Sequence, residues 1–252
     1  MTKRGYVAGN GRKAGGTRPL AMLLFAPGMR PDADALEALA AAAAPFQVSH
    51  RPEGAADWLE LLRDGLTFDL VGLAPGKPAV PSTPATSHDL PADLAAGEAI
   101  VLAPGPHLAG AEHLLPVVRV TAALVTGLAA LPGLLGIGWL PARNLVDPAW
   151  FCEAVDRWLA GGPFAALALC GLEREADGAL HSEGLRFLIG QEFRLAADRN
   201  SDPARNAKVA LRLTDWLVAH GRVDTAREIV LVGAGSVWLA PGADGMIAAQ
   251  CR

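Results

Sequence analysis

The sequence predicts an α+β protein of mixed or antiparallel sheets with packed amphipathic helices. Three observations carry that prediction. Four apolar runs, at residues 23–28, 71–76, 100–105 and 237–242, end in the same tripeptide, Ala-Pro-Gly. Proline cannot donate to a strand ladder, and Pro-Gly suits the two central positions of a type II turn, so each copy reads as a buried strand leaving its sheet. Asp147-Pro148 and Asp202-Pro203 each set an N-cap before a proline at the first helical position. Ala176-Asp177-Gly178, followed by a segment read as a strand, reads as a hairpin turn.

In chain order, a strand is expected over 20–26, then a helix from Pro31 or Asp32 with Leu36 and Leu39 on its apolar face, closed by Pro45. Residues 46–50 suggest a short strand. Trp58, Leu61 and Leu62 recur at helical spacing within 54–64, which ends at Gly65, so a helix is expected there. Residues 68–74 form the next strand. Pro75, Pro78, Pro81, Pro84 and Pro91 then preclude helix and central strand, leaving 75–97 as a loop.

A strand over 99–103 leads to a long helix over 111–131, with Leu114, Val118, Ala122 and Val125 on one face, and to a strand over 134–140 holding Trp139. The helix behind Asp147-Pro148 runs to Gly161-Gly162. Residues 165–170, 179–187 and 192–196 read as antiparallel strands. Behind Asp202-Pro203, Val209, Leu213, Trp216 and Leu217 describe an amphipathic helix that stops at His220-Gly221. Strands at 229–232 and 236–240 close the chain. Segments 20–39 and 99–115 share the order strand, Ala-Pro-Gly, helix, a faint duplication of a strand–helix unit. The organisation expected is a disordered basic Gly-rich tail (1–18), an N-terminal βα segment (19–74), the Pro-rich loop (75–97) and a C-terminal α+β body (98–252), the body and the βα segment forming one compact unit.

Charged residues are only 19% of the chain and hydrophobic ones 51%, which points to a thick core or to surface hidden by self-association. No apolar run is long enough to span a membrane. Residues 1–18 hold five basic and no acidic side chains, leaving 17 basic against 26 acidic in the rest, a net −9 that argues against nucleic acid as a partner. The apolar stretch behind that tail is too short for a signal peptide and reads as a first core strand. Cys152, Cys170 and Cys251 form neither a disulfide framework nor a thiolate zinc site, which fits a reducing cytoplasm.

Chemistry-bearing motifs are sparse. Val232-Gly233-Ala234-Gly235-Ser236 has strands rather than a helix behind it, so it reads as a hairpin turn and no cofactor is expected. The spacing of His50, His88, His107, His113, His181 and His220 matches no metal-ligand pattern. Cys170 ends an apolar run and reads as a buried structural thiol. Segment 181–194 concentrates charge. Glu192 and Arg194 can share a strand face as a surface pair, or Glu192, Glu183, Arg119 and Arg143 can converge as a carboxylate–arginine site.

Several of these motifs, taken in order, resemble a bacterial domain family of unassigned function. They are His113-Leu114-Leu115 through Leu131-Pro132-Gly133, Leu135-Gly136-Ile137-Gly138-Trp139, Leu145-Val146-Asp147-Pro148 with its helix, Glu183-Gly184-Leu185 and Gly190-Gln191-Glu192. The likeness covers about residues 20–232. It implies an α+β fold and a bacterial cytoplasmic protein, and assigns no reaction, ligand or catalytic residue. The chain departs from the family pattern in Gly190-Gln191-Glu192, one residue shorter before the acid than the family has it.

Three functional readings follow, the third being the binding of a small ligand without chemistry. The first is a non-enzymatic protein-interaction or accessory factor, immunity-like in kind, with protein as its partner; six tryptophans among few charges suit a protein-facing patch, although Trp58, Trp158 and Trp216 read as core. The second is a hydrolase or transferase in which Glu192 and Glu183 do acid–base work while Arg119 and Arg143 anchor an anionic substrate. Burial separates the first two, because a site needs Glu192 and an arginine converging in a pocket with a perturbed carboxyl pKa.

Overall fold

The structure is a computed structural model that describes residues 17–42, 45–54, 57–88, 90, 94, 97–197 and 202–252. Of the basic tail expected over 1–18, residues 1–16 lie outside the described residues. The first half of the chain runs β1 (Ala21–Phe25), α1 (Ala33–Ala41), β2 (Gln47–His50), β3 (Trp58–Arg63), β4 (Leu66–Val71), β5 (Thr86–His88), β6 (Glu98–Pro104), α2 (Leu115–Leu128), β7 (Leu134–Trp139) and β8 (Asn144–Val146). The second half runs α3 (Pro148–Leu159), α4 (Ala166–Leu169), β9 (Gly171–Arg174), β10 (Leu180–Glu183), α5 (Leu185–Ile189) and β11 (Glu192–Leu195). It ends with α6 (Pro203–His220), β12 (Arg227–Leu231), β13 (Gly235–Pro241) and β14 (Met246–Cys251).

These elements make the expected α+β fold from two mixed sheets. The first sheet has the order β2-β3-β4-β6-β1-β7-β8-β5, antiparallel except for β5 beside β8. The second has the order β12-β13-β14-β11-β10-β9, antiparallel except for β11 beside β14. The chain crosses from one sheet to the other through α3 and α4. One hydrophobic core runs without interruption from Leu20 in the first sheet to Ala249 in the second.

Both faces of the first sheet are covered, which explains its unbroken apolar strands. All five residues of β1 are buried. Leu23 and Phe25 enter the main core beneath α2 and α3, while Met22 and Leu24 face the opposite side. There Ala79, Leu90 and Leu94 of the Pro-rich segment pack over them. That segment is therefore a cover for the sheet's second face, and it adds β5 at the sheet edge.

Both Asp-Pro signals act as expected. Asp147 accepts the Trp150 amide at 2.9 Å and Asp202 the Ala204 amide at 3.0 Å, and the helices begin at Pro148 and Pro203. Asp32 caps α1 in the same way, through the Ala35 amide at 2.8 Å. The first Ala-Pro-Gly is a type II turn, with the Met29 amide bonded to the Ala26 carbonyl at 2.9 Å and Gly28 at φ +73°. The other three copies differ. The Ala74–Pro75 peptide is cis, and Pro104 and Pro241 stay within β6 and β13.

The helix expected over 54–64 is strand β3. Asp64 (φ +48°) and Gly65 (φ +77°) form a two-residue hairpin loop to β4, with Arg63 paired to Leu66. Trp58, Leu59, Glu60 and Leu61 are all buried, so no alternation survives and the helical spacing of three apolar residues is coincidental. Residues 165–170, expected as a strand, form the single turn α4, in keeping with the helical preference of Ala and Leu. The strand expected over 179–187 ends at Glu183, where Gly184 at φ +91° turns the chain into α5. Strand β14 has no counterpart in the sequence reading.

Arg30, which carries no sequence signature, ties the loops around β1, β4 and β6 together. Its guanidinium donates to the carbonyl of Gly72, to that of Gly76 at 2.8 Å, and to the Glu98 carboxylate at 3.3 Å. Glu98 also accepts the Gly28 amide at 3.1 Å. The Arg30 side chain is only 8% exposed, and Arg30→Met leaves two partly buried carbonyls without this donor. The expected loss is about 2–3 kcal/mol of stability, a melting temperature lower by roughly 5–10 °C in circular dichroism. An unchanged melting curve would show that the guanidinium is dispensable.

Candidate functional site

The charged segment singled out in the sequence folds around one carboxylate. Gly184 (φ +91°) and Gly190 (φ +77°) bracket α5, and their left-handed conformations let the chain reverse so that β11 returns beside β10. At the start of β11, Glu192 points back into that reversal. Its Oε2 accepts the Ser182 hydroxyl at 2.5 Å and the Leu185 amide at 3.2 Å. Its Oε1 accepts the amides of Gly184 and Arg186, both at 2.9 Å. Ser182 in turn accepts the Phe193 amide at 2.8 Å.

Glu192 is therefore buried, not half of a surface pair with Arg194. Arg194 turns instead to Glu175, at 2.8 Å, and to Asp177. Burial pushes the Glu192 carboxyl above its ordinary value, against the downward pull of the Ser182 hydroxyl and the Arg186 and Gly184 amides. A carboxylate has about four acceptor positions, and here four donors fill them.

Next to this carboxylate, where the two sheets meet, lies a cavity of about 630 Å³. From the first sheet it takes Leu140, Pro141 and Arg143 of the turn after β7, with Arg18 and Leu20 from the approach to β1 and Glu112 from before α2. From the second it takes His181, Glu183, Gly184, Arg186, Phe187, Glu192 and Met246. Of the four residues expected to converge, three do: Glu192, Glu183 and Arg143. Arg119 does not. It lies over the Trp158 ring at 4.8 Å and donates to the Leu159 carbonyl at 3.1 Å, tying α2 to the end of α3. Arg186 takes up the second guanidinium position, with Nη1 donating to the Asp244 carbonyl at 3.2 Å.

The seam that bounds this cavity is tight. A Cβ on Gly184 would come within 2.6 Å of the Ala142 Cα, so only glycine fits against that turn. Arg143 follows at φ +48°, a left-handed conformation that a non-glycine residue adopts at a cost. Its neighbours impose it. The Arg143 carbonyl accepts the Ala85 amide at 2.6 Å. Asn144 accepts the Trp139 amide at 2.9 Å and donates to the carbonyls of Leu167 and Ala168, fixing the turn from the α4 side. The exposed Arg143 guanidinium reaches Glu183 only at 3.9 Å, beyond hydrogen-bonding distance.

Arg18, Arg186 and Glu112 are site residues that the sequence reading did not single out. They come from three separate segments, and the one local hint was Gly184 between Glu183 and Leu185. Among the described residues, no group of three His, Cys, Asp or Glu side chains is placed to hold a metal ion.

Glu192→Gln puts an amide nitrogen against donors. It is expected to lower stability by about 2–3 kcal/mol in denaturant unfolding. A residue held only for acid–base chemistry would tolerate that isosteric change, so unaltered stability would refute the clamp. The cysteines make a second test. Burial pushes the Cys152 thiol up to about 11 and the fully buried Cys170 thiol well above its ordinary value. Iodoacetamide at neutral pH is expected to leave Cys170 unmodified and Cys152 scarcely modified in the folded protein, and to label both after denaturation, as read by peptide mass spectrometry. Rapid native labelling of Cys170 would contradict its placement. No protein-family model, curated protein or solved structure matches this chain.

Proposed function

We propose that the protein binds a small molecule bearing an acidic group in the cavity between its sheets, without carrying out chemistry on it. The observation that carries this reading is Arg143, held in a left-handed conformation with its guanidinium exposed at the cavity and hydrogen-bonded to no carboxylate, Glu183 standing off at 3.9 Å. Strained, over-determined residues of this kind concentrate at ligand sites. Leu20, Leu140, Pro141, Phe187 and Met246 supply an apolar wall, and a few polar groups on an apolar wall are what small-molecule sites use.

The hydrolase or transferase reading meets the conditions set for it, since Glu192 and Arg143 line one cavity and the Glu192 carboxyl is raised. The hydrogen bonding of Glu192 weighs against it. With all four acceptor positions of Glu192 filled, neither oxygen is available to a substrate proton. For the protein-interaction reading, Trp58, Trp139 and Trp158 are buried and Trp150, Trp216 and Trp238 are half-buried, which leaves little indole surface for a partner.

The test is a melting curve with 10 mM phenylacetate or phenyl phosphate, for the wild type and for Arg143→Gly. Glycine relieves a conformational cost of about 1–2 kcal/mol, offset by its own entropy, so the variant should melt within a few degrees of the wild type or above it. Ligand at 100 times its Kd stabilises by about 2.7 kcal/mol, an upward shift of roughly 5–10 °C for the wild type. The variant should show none of that shift. Equal shifts in both proteins, or none in either with these two acids and with phenylalanine, would overturn the reading.

A further inference from the structure

We infer that the cavity selects an amphoteric ligand of the amino-acid class, one with an ammonium beside its acidic group. The inference deepens the reading above and rests on it. It starts from the charges that line the cavity. Arg18, Arg143 and Arg186 stand against Glu112, Glu183 and Glu192, three of each sign. Glu192 is consumed by its four donors, which leaves Glu112 and Glu183 as carboxylates able to meet a ligand. A simple anion entering beside Arg143 would bring like charge against Glu183, and like charges at short range in a partly dry site repel.

The Arg143–Glu183 pair shows how the conflict is resolved. At 3.9 Å, with side chains 61% and 27% exposed, the two charges attract without a hydrogen bond between them. An inserted ligand carboxylate can take the Arg143 guanidinium while an adjacent ammonium takes the Glu183 carboxylate. One stretched ion pair is thereby exchanged for two charge-assisted hydrogen bonds. A ligand with an acid alone strips Glu183 of its partner, and a ligand with an ammonium alone does the same to Arg143. The backbones that carry the two side chains are firmly set. Arg143 is fixed by the Ala85 and Asn144 contacts, and Glu183 ends β10 directly before Gly184, which abuts Ala142. The apolar wall of Leu20, Leu140, Phe187 and Met246 then favours an apolar side chain on the ligand.

Titration calorimetry of the full chain tests this with matched compounds. Leucine is compared with 4-methylpentanoate, which lacks the ammonium, and with isopentylamine, which lacks the carboxylate. Phenylalanine, 3-phenylpropanoate and 2-phenylethylamine form a second set. The amino acid of at least one set should bind the wild type tenfold or more tightly than either relative. Glu183→Gln should abolish the difference between the amino acid and its deamino relative, the amino acid binding more weakly than to the wild type and the relative at least as tightly, since the like charge that opposed it is gone. Arg143→Gly should bring the amino acid down to the affinity of the amine. Equal affinity of amino acid and deamino acid for the wild type would overturn the amphoteric inference and leave the acid-binding reading standing. So would a preference that survives Glu183→Gln in a folded variant. No binding by any of the six compounds would overturn both.

Discussion

The buried carboxylate of Glu192 is the constraint on which the rest of the site depends. An unpaired charge in that position would be costly, and it is tolerable only because four donors converge on it. Three of those donors are successive backbone amides, Gly184, Leu185 and Arg186, which can point to one spot only when the chain turns sharply. The carboxylate thus dictates the left-handed Gly184 and the start of α5. Gly184 in turn lies against Ala142, so the clamp within the second sheet sets how closely the first sheet approaches. Gln191 adds a second tie next door, exchanging hydrogen bonds with Val223 at 3.1 and 2.8 Å. The segment Gly190-Gln191-Glu192 is therefore structural at two of its three positions through side-chain bonds, and at the third through the left-handed glycine.

A division of labour between similar side chains follows. Glu192 and Glu183 both line the cavity, yet the first is sequestered by donors and the second meets Arg143 only loosely. Arg143, Arg119 and Arg30 are likewise three guanidiniums with different fates. Arg30 is buried against backbone carbonyls and Arg119 spans two helices over an indole ring. Arg143 alone of the three is held by its backbone, leaving its side chain unspent. Residue type does not distinguish these roles. The number of donors or acceptors already satisfied by the fold does.

That distinction explains how much was legible in the sequence. The α+β class, the two Asp-Pro helix starts, the Asp177-Gly178 hairpin and the hairpin at 232–236 were readable because each rests on local chemistry. Strand β3 was misread although Asp64-Gly65 between two apolar runs is itself a strong hairpin signal. Three apolar residues at helical spacing outweighed it, in a strand whose burial on both faces erased the alternation. The repeated Ala-Pro-Gly marked ends of core strands but fixed one turn type only once, since tertiary contacts decide whether a proline stays in its strand. At the site, Glu192, Glu183 and Arg143 were named and Arg119 was wrongly included. A charge pattern locates charges along the chain and says nothing of which helix face meets which sheet.

The Arg143 backbone connects this local logic to function. A glycine or asparagine at that position would satisfy the left-handed turn without strain, and the turn itself is already secured by Asn144 and by the Ala85 amide. The arginine therefore adds nothing that the fold requires there. Its long side chain is exposed at the cavity, near one carboxylate it does not hydrogen-bond, while Glu192, which lines the same cavity, is fully occupied. The conformational cost is borne by a residue whose side chain makes only a loose ion pair with Glu183, and the exposed guanidinium is what the position presents to the cavity. Clamp, seam and strained turn then act in series. Glu192 sets Gly184, Gly184 sets Ala142, and Ala142 delivers Arg143 to the position where a ligand would meet it.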